Sequence, residues 1–312
     1  MEHFAVAVNT VLPLFLLIGL GYIAKQKHII SPSAVQEANR LSFYLFMSVL
    51  LFYNVYSSDL SVAFDERLVL FCIVGILAEF LIGLLLIPRI EKTPSARGVM
   101  LQSFFRTNSV LLGIPITTSL FGAEHTGQAA VIMAFVVPVL NIFSVVAFEL
   151  FRDKKVTYRK VLKGIAKNPL VIGTLSGAFF ALTGLCFPAA VERAVSNIAG
   201  AATPLALVLM GASLDFSKFK STFKNMTICV LERLIISPIL FLSIAILMGF
   251  QGPALCAVMV TFATPVAVNS YNTAEQMGGD TDLASGIVLL TTGLSCITLT
   301  GWIWLLKTFG LF

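Results

Sequence analysis

The chain has 312 residues, of which 57% are hydrophobic and only 12% are charged, with a formal net charge of +5. Soluble domains are typically about 45–50% apolar and about 25% charged. This composition excludes an ordinary soluble globular protein, because the chain has too few polar residues to cover its surface in water. It predicts an all-α integral membrane protein whose solvent is the lipid bilayer, without a separate soluble domain.

Apolar stretches that are long enough to cross a bilayer recur along the whole chain. A membrane helix needs roughly 20 mainly apolar residues. We expect ten such helices, at residues 5–24, 38–57, 67–88, 98–121, 126–150, 166–185, 196–214, 225–248, 251–272 and 284–306. The first stretch lacks a basic n-region and a cleavage site, so we expect a retained helix there and not a signal peptide.

Basic residues cluster in the connections that follow the first, third, fifth and seventh predicted helices. Cytoplasmic loops of membrane proteins carry an excess of Lys and Arg. We therefore expect these connections in the cytoplasm, both termini outside, and a multi-pass location in the cell membrane. The net positive charge is then explained by the orientation of the chain in the membrane, and we expect no nucleic-acid partner.

The strongly basic connection at 151–165 divides the ten predicted helices into two sets of five. An odd number of helices in each half gives the halves opposite orientations, which is the inverted repeat of many secondary transporters. We expect a first repeat at residues 1–150, a cytoplasmic linker at 151–165 and a second repeat at 166–312.

The fourth predicted helix contains a charge and two helix-breaking residues, in the stretch FRTNSVLLGIP. Pro115 lacks a backbone donor and Gly113 is conformationally permissive, so we expect these two residues to break the helix. A charge at mid-membrane costs about 2.5–3.5 kcal/mol on insertion scales. Arg106 offers a planar fork that suits a carboxylate, and Asn108 adds two uncharged donors.

The ninth predicted helix has a similar pattern, in the stretch TFATPVAVN. Pro265 is expected to break it, and Thr264 and Asn269 bring polar side chains to a similar depth. Two interrupted helices at corresponding places in inverted halves indicate a transport site. If the two breaks cross, helix N-termini meet there and favour an anion. We therefore expect Arg106 and Asn108 to share a substrate site with both polar residues.

Several other polar residues in the predicted helices leave alternatives open. Asn141 either reaches the substrate cavity or bonds across helices. Glu232 and Arg233 are adjacent and project about 100° apart on a helix, so one must pair elsewhere, and we expect Glu79 to pair with Arg233. Glu79 either carries a coupling proton or belongs to a structural ion pair. Arg106 either contacts the substrate or pairs with Glu79 or Glu232.

Motifs for other functions are missing from the sequence. It has no GxxxxGK[ST], HExxH or GxSxG motif, and its five cysteines lack metal-ligand spacing. We therefore expect neither an enzyme nor a metal or other cofactor.

Taken together, several stretches resemble the auxin efflux carrier family, which includes bacterial malate and malonate permeases. They are FRTNSVLLGIP, VPVLNI, TPLALVLMGASL, RLIISP and ATPVAVNSYNTAEQMGGD. The resemblance implies a ten-helix fold shared with the bile-acid and sodium–proton antiporter superfamily, crossed fourth and ninth helices, elevator-like alternating access and a homodimer. It also implies that Asn108 and its neighbours bind the carboxylate of a small organic anion, and that Pro115 and Pro265 shape the crossing. The chain lacks the proline that the family often has near Met47.

The sequence thus predicts a secondary transporter of a mono- or dicarboxylate, with malate as the expected substrate and with proton or sodium coupling left open. A channel-like uniporter and a non-transporting membrane sensor of the same fold are the alternatives.

Overall fold

The computed structural model describes residues 2–57, 65–122, 125–152 and 158–312, and every regular element in these ranges is helical. Two π-helical turns, Ser42–Met47 and Glu232–Ile236, join α2 to α3 and α11 to α12, and a 3-10 turn, Phe216–Lys218, precedes α11. The α-helices in chain order are α1 (Glu2–Gln26), α2 (Pro32–Leu41), α3 (Ser48–Tyr56), α4 (Glu66–Ile90), α5 (Pro94–Phe105), α6 (Ser109–Phe121), α7 (Thr126–Arg152), α8 (Tyr158–Lys167), α9 (Pro169–Thr183), α10 (Ala189–Ser213), α11 (Phe219–Leu231), α12 (Ser237–Leu247), α13 (Gly252–Ala263), α14 (Asn269–Gln276) and α15 (Thr281–Thr308).

Helices of membrane-spanning length and composition confirm an integral membrane protein. Five are long and apolar enough to cross a bilayer: Glu66–Ile90, Ile132–Arg152, Ala189–Ser213, Phe216–Leu247 and Thr281–Thr308. Four apolar helices are shorter: Val11–Gln26, Ser109–Phe121, Pro169–Thr183 and Gly252–Ala263. The count of ten spans remains a prediction. Of the predicted linker at 151–165, residues 153–157 lie outside the described part of the chain. The last residues of this linker, from 158 onward, belong to α8.

Two of the predicted membrane segments are interrupted helices. The first interruption separates α5 from α6, and the second separates α13 from α14. Arg106 has φ −76° and ψ 111°, and Thr264 has φ −76° and ψ 154°, so the chain is extended directly after α5 and α13. Non-helical backbone at membrane depth is tolerated where protein buries it or where it lines a cavity.

The two interruptions contact each other through their backbones. Thr107 and Val266 form an isolated antiparallel bridge. The N–H of Asn108 donates to the carbonyl oxygen of Pro265 at 2.8 Å. The hydroxyl groups of Thr107 and Thr264 are hydrogen-bonded to each other. The interruptions therefore supply partners for polar groups that neither helix can satisfy alone.

The position of the first break corrects the sequence interpretation. Gly113 and Pro115 do not break the helix, because both lie inside α6. Proline removes a single helical hydrogen bond, which is tolerated in membrane helices where neighbouring groups compensate. Gly113 lies at a close helix contact, since a Cβ there would be 2.5 Å from Cε of Met133. Pro265, in contrast, lies between α13 and α14, within the second interruption.

Arg233 donates hydrogen bonds to backbone carbonyls at the carboxyl ends of α5 and α13. It is fully buried, and its guanidinium donates to the carbonyl oxygens of Phe104 at 3.1 Å, Thr261 at 2.6 Å and Thr264 at 2.9 Å. The last four carbonyls of a helix lack intrahelical partners and carry partial negative charge. A single cation therefore serves the ends of both α5 and α13.

A carboxylate balances the charge of Arg233. Oε1 of Glu79 in α4 lies 3.7 Å from Nη1 of Arg233, and the Ser237 hydroxyl donates to the same oxygen. The expected partnership of Glu79 with Arg233 is therefore present in the structure.

Backbone-to-backbone contact joins α1 to α10. A Cβ added to Gly21 would lie 1.9 Å from the carbonyl oxygen of Val208, and one added to Gly211 would lie 2.0 Å from that of Ile18. Small residues allow such close approach, which stabilises helix pairs in membranes by van der Waals packing.

We expect Gly21→Ala to lower the stability of the purified protein by about 1–3 kcal/mol, because the new methyl group must push two backbones apart. Its matched control is Gly19→Ala on the same helix, since a Cβ at Gly19 would meet nothing within 4 Å. Thermal melting in detergent measures both changes. Equal melting temperatures for the two variants would contradict the close contact.

We expect Arg233→Met to destabilise the protein by about 3–5 kcal/mol, because it leaves a buried carboxylate and several carbonyls without their cation. Adding Glu79→Gln should recover part of this loss by removing the uncompensated charge. A double-mutant cycle of melting temperatures gives the coupling between the two residues. Additive effects of the two substitutions would show that the ion pair contributes nothing.

Candidate functional site

A cavity of about 100 Å³ lies against both helix interruptions. Residues of the interruptions and of the first turns of α6 and α14 form one side of it. Residues of α3, α7 and α10 complete the wall. The lining comprises Leu50, Leu51, Asn54, Arg106, Thr107, Asn108, Val110, Leu111, Val137, Leu140, Thr203, Ala267, Val268 and Asn269. The wall is thus mostly apolar, with its polar groups concentrated at the interruptions.

Arg106 is buried in this wall with only 4% of its surface exposed. Its Nη1 donates to Oδ1 of Asn141 at 2.6 Å and to Oγ of Ser144 at 3.4 Å. Its Nε has no hydrogen-bond partner among the described residues. The ion pair with Glu79 or Glu232 that the sequence left open is not observed for Arg106 in the described part of the chain. Neutral groups therefore hold the cation in place, and no carboxylate in the described ranges balances its charge.

Asn141 supports Arg106 from α7 and does not line the cavity. Its Oδ1 accepts the bond from Arg106, while its Nδ2 donates to Oγ1 of Thr174 in α9 at 3.1 Å. Of the two alternatives for Asn141, the structure therefore has the bond across helices. The side chain fixes the position of the guanidinium, and it is fully buried.

Asn108 and Asn269 occupy similar places at the starts of α6 and α14. Both line the cavity. Nδ2 of Asn108 and Oδ1 of Asn269 are buried and have no hydrogen-bond partner among the described residues. The first N–H groups of a helix lack intrahelical acceptors and carry partial positive charge. The cavity therefore faces two helix N-termini and a buried guanidinium, which together favour an anion.

Thr264, which the sequence predicts as a site residue, does not line the cavity. Thr107, which the sequence analysis missed, does. Thr264 is fully buried, and its hydroxyl donates to the carbonyl oxygen of Val260 at 2.7 Å. Thr107, which bonds to it, lines the cavity instead. Its place between Arg106 and Asn108 was the signal available in the sequence.

The charged residues of the eighth predicted helix lie apart from the cavity wall. Arg233 serves the carboxyl ends of α5 and α13, whereas the cavity lies at the amino ends of α6 and α14. Oε2 of Glu79 and Oε2 of Glu232 are buried without a hydrogen-bond partner in the described residues. Neither carboxylate is part of the cavity lining, and Glu79 contacts the interruptions indirectly, through Arg233.

Comparison with known proteins finds relatives along nearly the whole chain. Residues 6–303 match a family described as "Membrane transport protein". An "Uncharacterized transporter" of Methanothermobacter thermautotrophicus is 26% identical over 299 residues, covering 95% of this chain and 97% of the relative. One of Methanocaldococcus jannaschii is 26% identical over 314 residues, covering 96% and 99%. A protein of Rhizobium meliloti named "Putative malonate transporter" is 29% identical over 149 residues, covering 47% of each chain.

The family match covers far more than half of the chain, and it agrees with the helical membrane architecture and with the motifs in both interrupted segments. The chain therefore belongs to this family of membrane transport proteins, the auxin efflux carrier family that its motifs resemble.

Proposed function

We propose that the protein is a secondary transporter of small organic anions, with mono- or dicarboxylates such as malate as substrates. The observation that carries the proposal is Arg106, a buried cation without a carboxylate partner among the described residues, beside polar atoms that those residues also leave unpaired, in a cavity at two helix N-termini. An intramembrane ionisable residue is costly and marks substrate pathways. An anion in the cavity would supply the missing charge and would accept hydrogen bonds from Nε of Arg106 and Nδ2 of Asn108, whereas Oδ1 of Asn269 needs a donor.

The proposed architecture has ten spans arranged as five plus five. Inverted repeats at residues 1–150 and 166–312 would flank the basic linker at 151–165, and the two interrupted segments would form the crossing at the centre. The contact between the interruptions supports this arrangement, because paired broken helices at the midplane are typical of inverted-repeat carriers. The distribution of basic residues supports a cell-membrane location with both termini outside.

The proposed mechanism is elevator-like alternating access, in which the interrupted helices move past α3 and α10 on the opposite wall. Family membership supports this mechanism and a homodimeric assembly. Coupling to a proton or to sodium is part of the proposal, with Glu79 and Glu232 as the candidate carboxylates. The contact of Glu79 with Arg233 favours a structural role for Glu79.

The relative from Rhizobium meliloti supports a carboxylate as the substrate, because malonate appears in its name. The two archaeal relatives, which align over nearly their full lengths, are named as transporters without a substrate. The substrate class therefore rests mainly on the chemistry of the cavity.

Uptake of labelled carboxylates into proteoliposomes tests the transporter proposal. Saturable uptake that is lost in Arg106→Ala and Asn108→Ala variants of normal thermal stability is the expected result. Uptake that rises linearly with concentration would favour the channel-like uniporter, and binding without uptake would favour the sensor.

We expect Arg106→Lys to reduce carboxylate uptake by at least about tenfold. The substitution keeps the positive charge, but it replaces the planar guanidinium, which can bind both carboxylate oxygens, with a compact ammonium group. A tenfold change corresponds to about 1.4 kcal/mol. Arg152→Lys is the control for the same exchange of side chains, since Arg152 is exposed and pairs with Glu149. Unchanged uptake by Arg106→Lys would remove Arg106 from the substrate contacts.

We expect Asn141→Asp to abolish uptake while the protein stays folded. The substitution is nearly isosteric, and it places a carboxylate where Nη1 of Arg106 now meets an amide oxygen at 2.6 Å. The internal carboxylate would neutralise the cation that an anionic substrate needs. Thermal melting checks the fold, and uptake checks the function. Wild-type uptake by Asn141→Asp would show that the charge of Arg106 does not attract the substrate.

A further inference from the structure

The cavity wall has one formal charge. Arg106 is the cation, and the other described residues that line the cavity are neutral. The polar ones are Asn54, Thr107, Asn108, Thr203 and Asn269. The remaining lining residues are Leu, Val or Ala. The fixed charge that an anion meets in this cavity is therefore a single positive one.

The second buried arginine does not add to this charge. Arg106 is bonded to the neutral side chains of Asn141 and Ser144. The second buried arginine, Arg233, faces the carbonyls at the opposite ends of the interrupted helices and has Glu79 at 3.7 Å. Its charge is engaged there, so it is not available to a molecule in the cavity.

The size of the cavity limits the acid that it can hold. Its volume is about 100 Å³, whereas an engineered protein cavity of roughly 150 Å³ binds benzene. The space therefore suits a short aliphatic acid better than an aromatic one. The apolar residues of α3 and α7 would contact the carbon chain, and Arg106 and Asn108 would contact the carboxylate.

A second carboxylate on the same acid would have no cation to pair with. Burying an ionised carboxylate without a compensating partner is costly, because the surroundings do not replace its hydration. The polar groups on the wall opposite the interruptions, Asn54 and Thr203, are uncharged and suit a hydroxyl, an amide or a protonated carboxyl group.

We propose that the cavity selects short aliphatic acids that carry one negative charge, and that it accepts a dicarboxylate only as its monoanion. This inference rests on the proposed function, because it concerns the substrate of the same site. It follows from one unbalanced cation in a small cavity whose opposite wall is neutral.

Malonate and its monoamide, malonamate, provide a matched pair of probes. They share a three-carbon skeleton, and they differ by one charge at about pH 8, well above the usual carboxyl pKa of about 4. Titration calorimetry on the purified full-length protein measures both affinities. We expect malonamate to bind at least about tenfold more tightly at about pH 8. The difference should shrink toward about pH 5, because the first negative charge of malonate raises the pKa of its second carboxyl group, which therefore gains a proton there. Benzoate should bind more weakly than malonamate at both pH values.

The outcomes separate this inference from the proposed function. Tighter binding of malonate than of malonamate at about pH 8, or equal binding, would overturn the selection for one charge and leave an anion site in place. Failure of malonamate, malonate, acetate and malate to bind at either pH would overturn the proposed function as well.

A gain of specificity gives a second test. Thr203→Lys would place a second cation on the wall opposite the interruptions, and it should shift the preference at about pH 8 toward malonate by at least about tenfold. Thr203→Met is the matched control, because it adds a side chain of similar length without charge. An equal shift in both variants would show that the preference follows shape and not charge.

Discussion

The structure depends on the need to satisfy every backbone polar group at membrane depth. Lipid offers no hydrogen bonds, so a helix that breaks within the bilayer must find partners inside the protein. Here the two breaks use each other, through the bridge between Thr107 and Val266 and the bond from Asn108 to Pro265. Arg233 then donates to three of the carbonyls at the ends of α5 and α13.

This arrangement separates the two polarities of the broken helices. The negative carboxyl ends have a resident cation, whereas the positive amino ends of α6 and α14 face a cavity. The two buried arginines differ in the charge of their partners. Arg233 has a carboxylate nearby, while Arg106 is held by an amide and a hydroxyl. One arginine therefore stabilises the fold, and the other keeps a charge that a ligand can balance.

Much of the fold could be predicted from the sequence, because long apolar stretches and the prolines and polar residues within them report spans and interruptions. The exact place of the first break could not be predicted. Pro115 suggested a break near itself, whereas the backbone is extended at Arg106, where it depends on contacts with Pro265, which is distant in the sequence. Helix geometry indicated only that Glu232 and Arg233 project in different directions, and the choice of Glu79 as the partner of Arg233 is confirmed by the structure. The separate roles of Thr107 and Thr264 could not be predicted, because they depend on which side of the contact faces the cavity.

The neutral support of Arg106 by Asn141 has an electrical consequence for a carrier whose site moves across the membrane. Under the proposed elevator movement, the site would have no net charge with a monoanion bound and one positive charge when it is empty. The membrane potential contributes about 2.3 kcal/mol per elementary charge for each 100 mV. Voltage would therefore act mainly on the return of the vacant site, and the loaded step would be electrically silent.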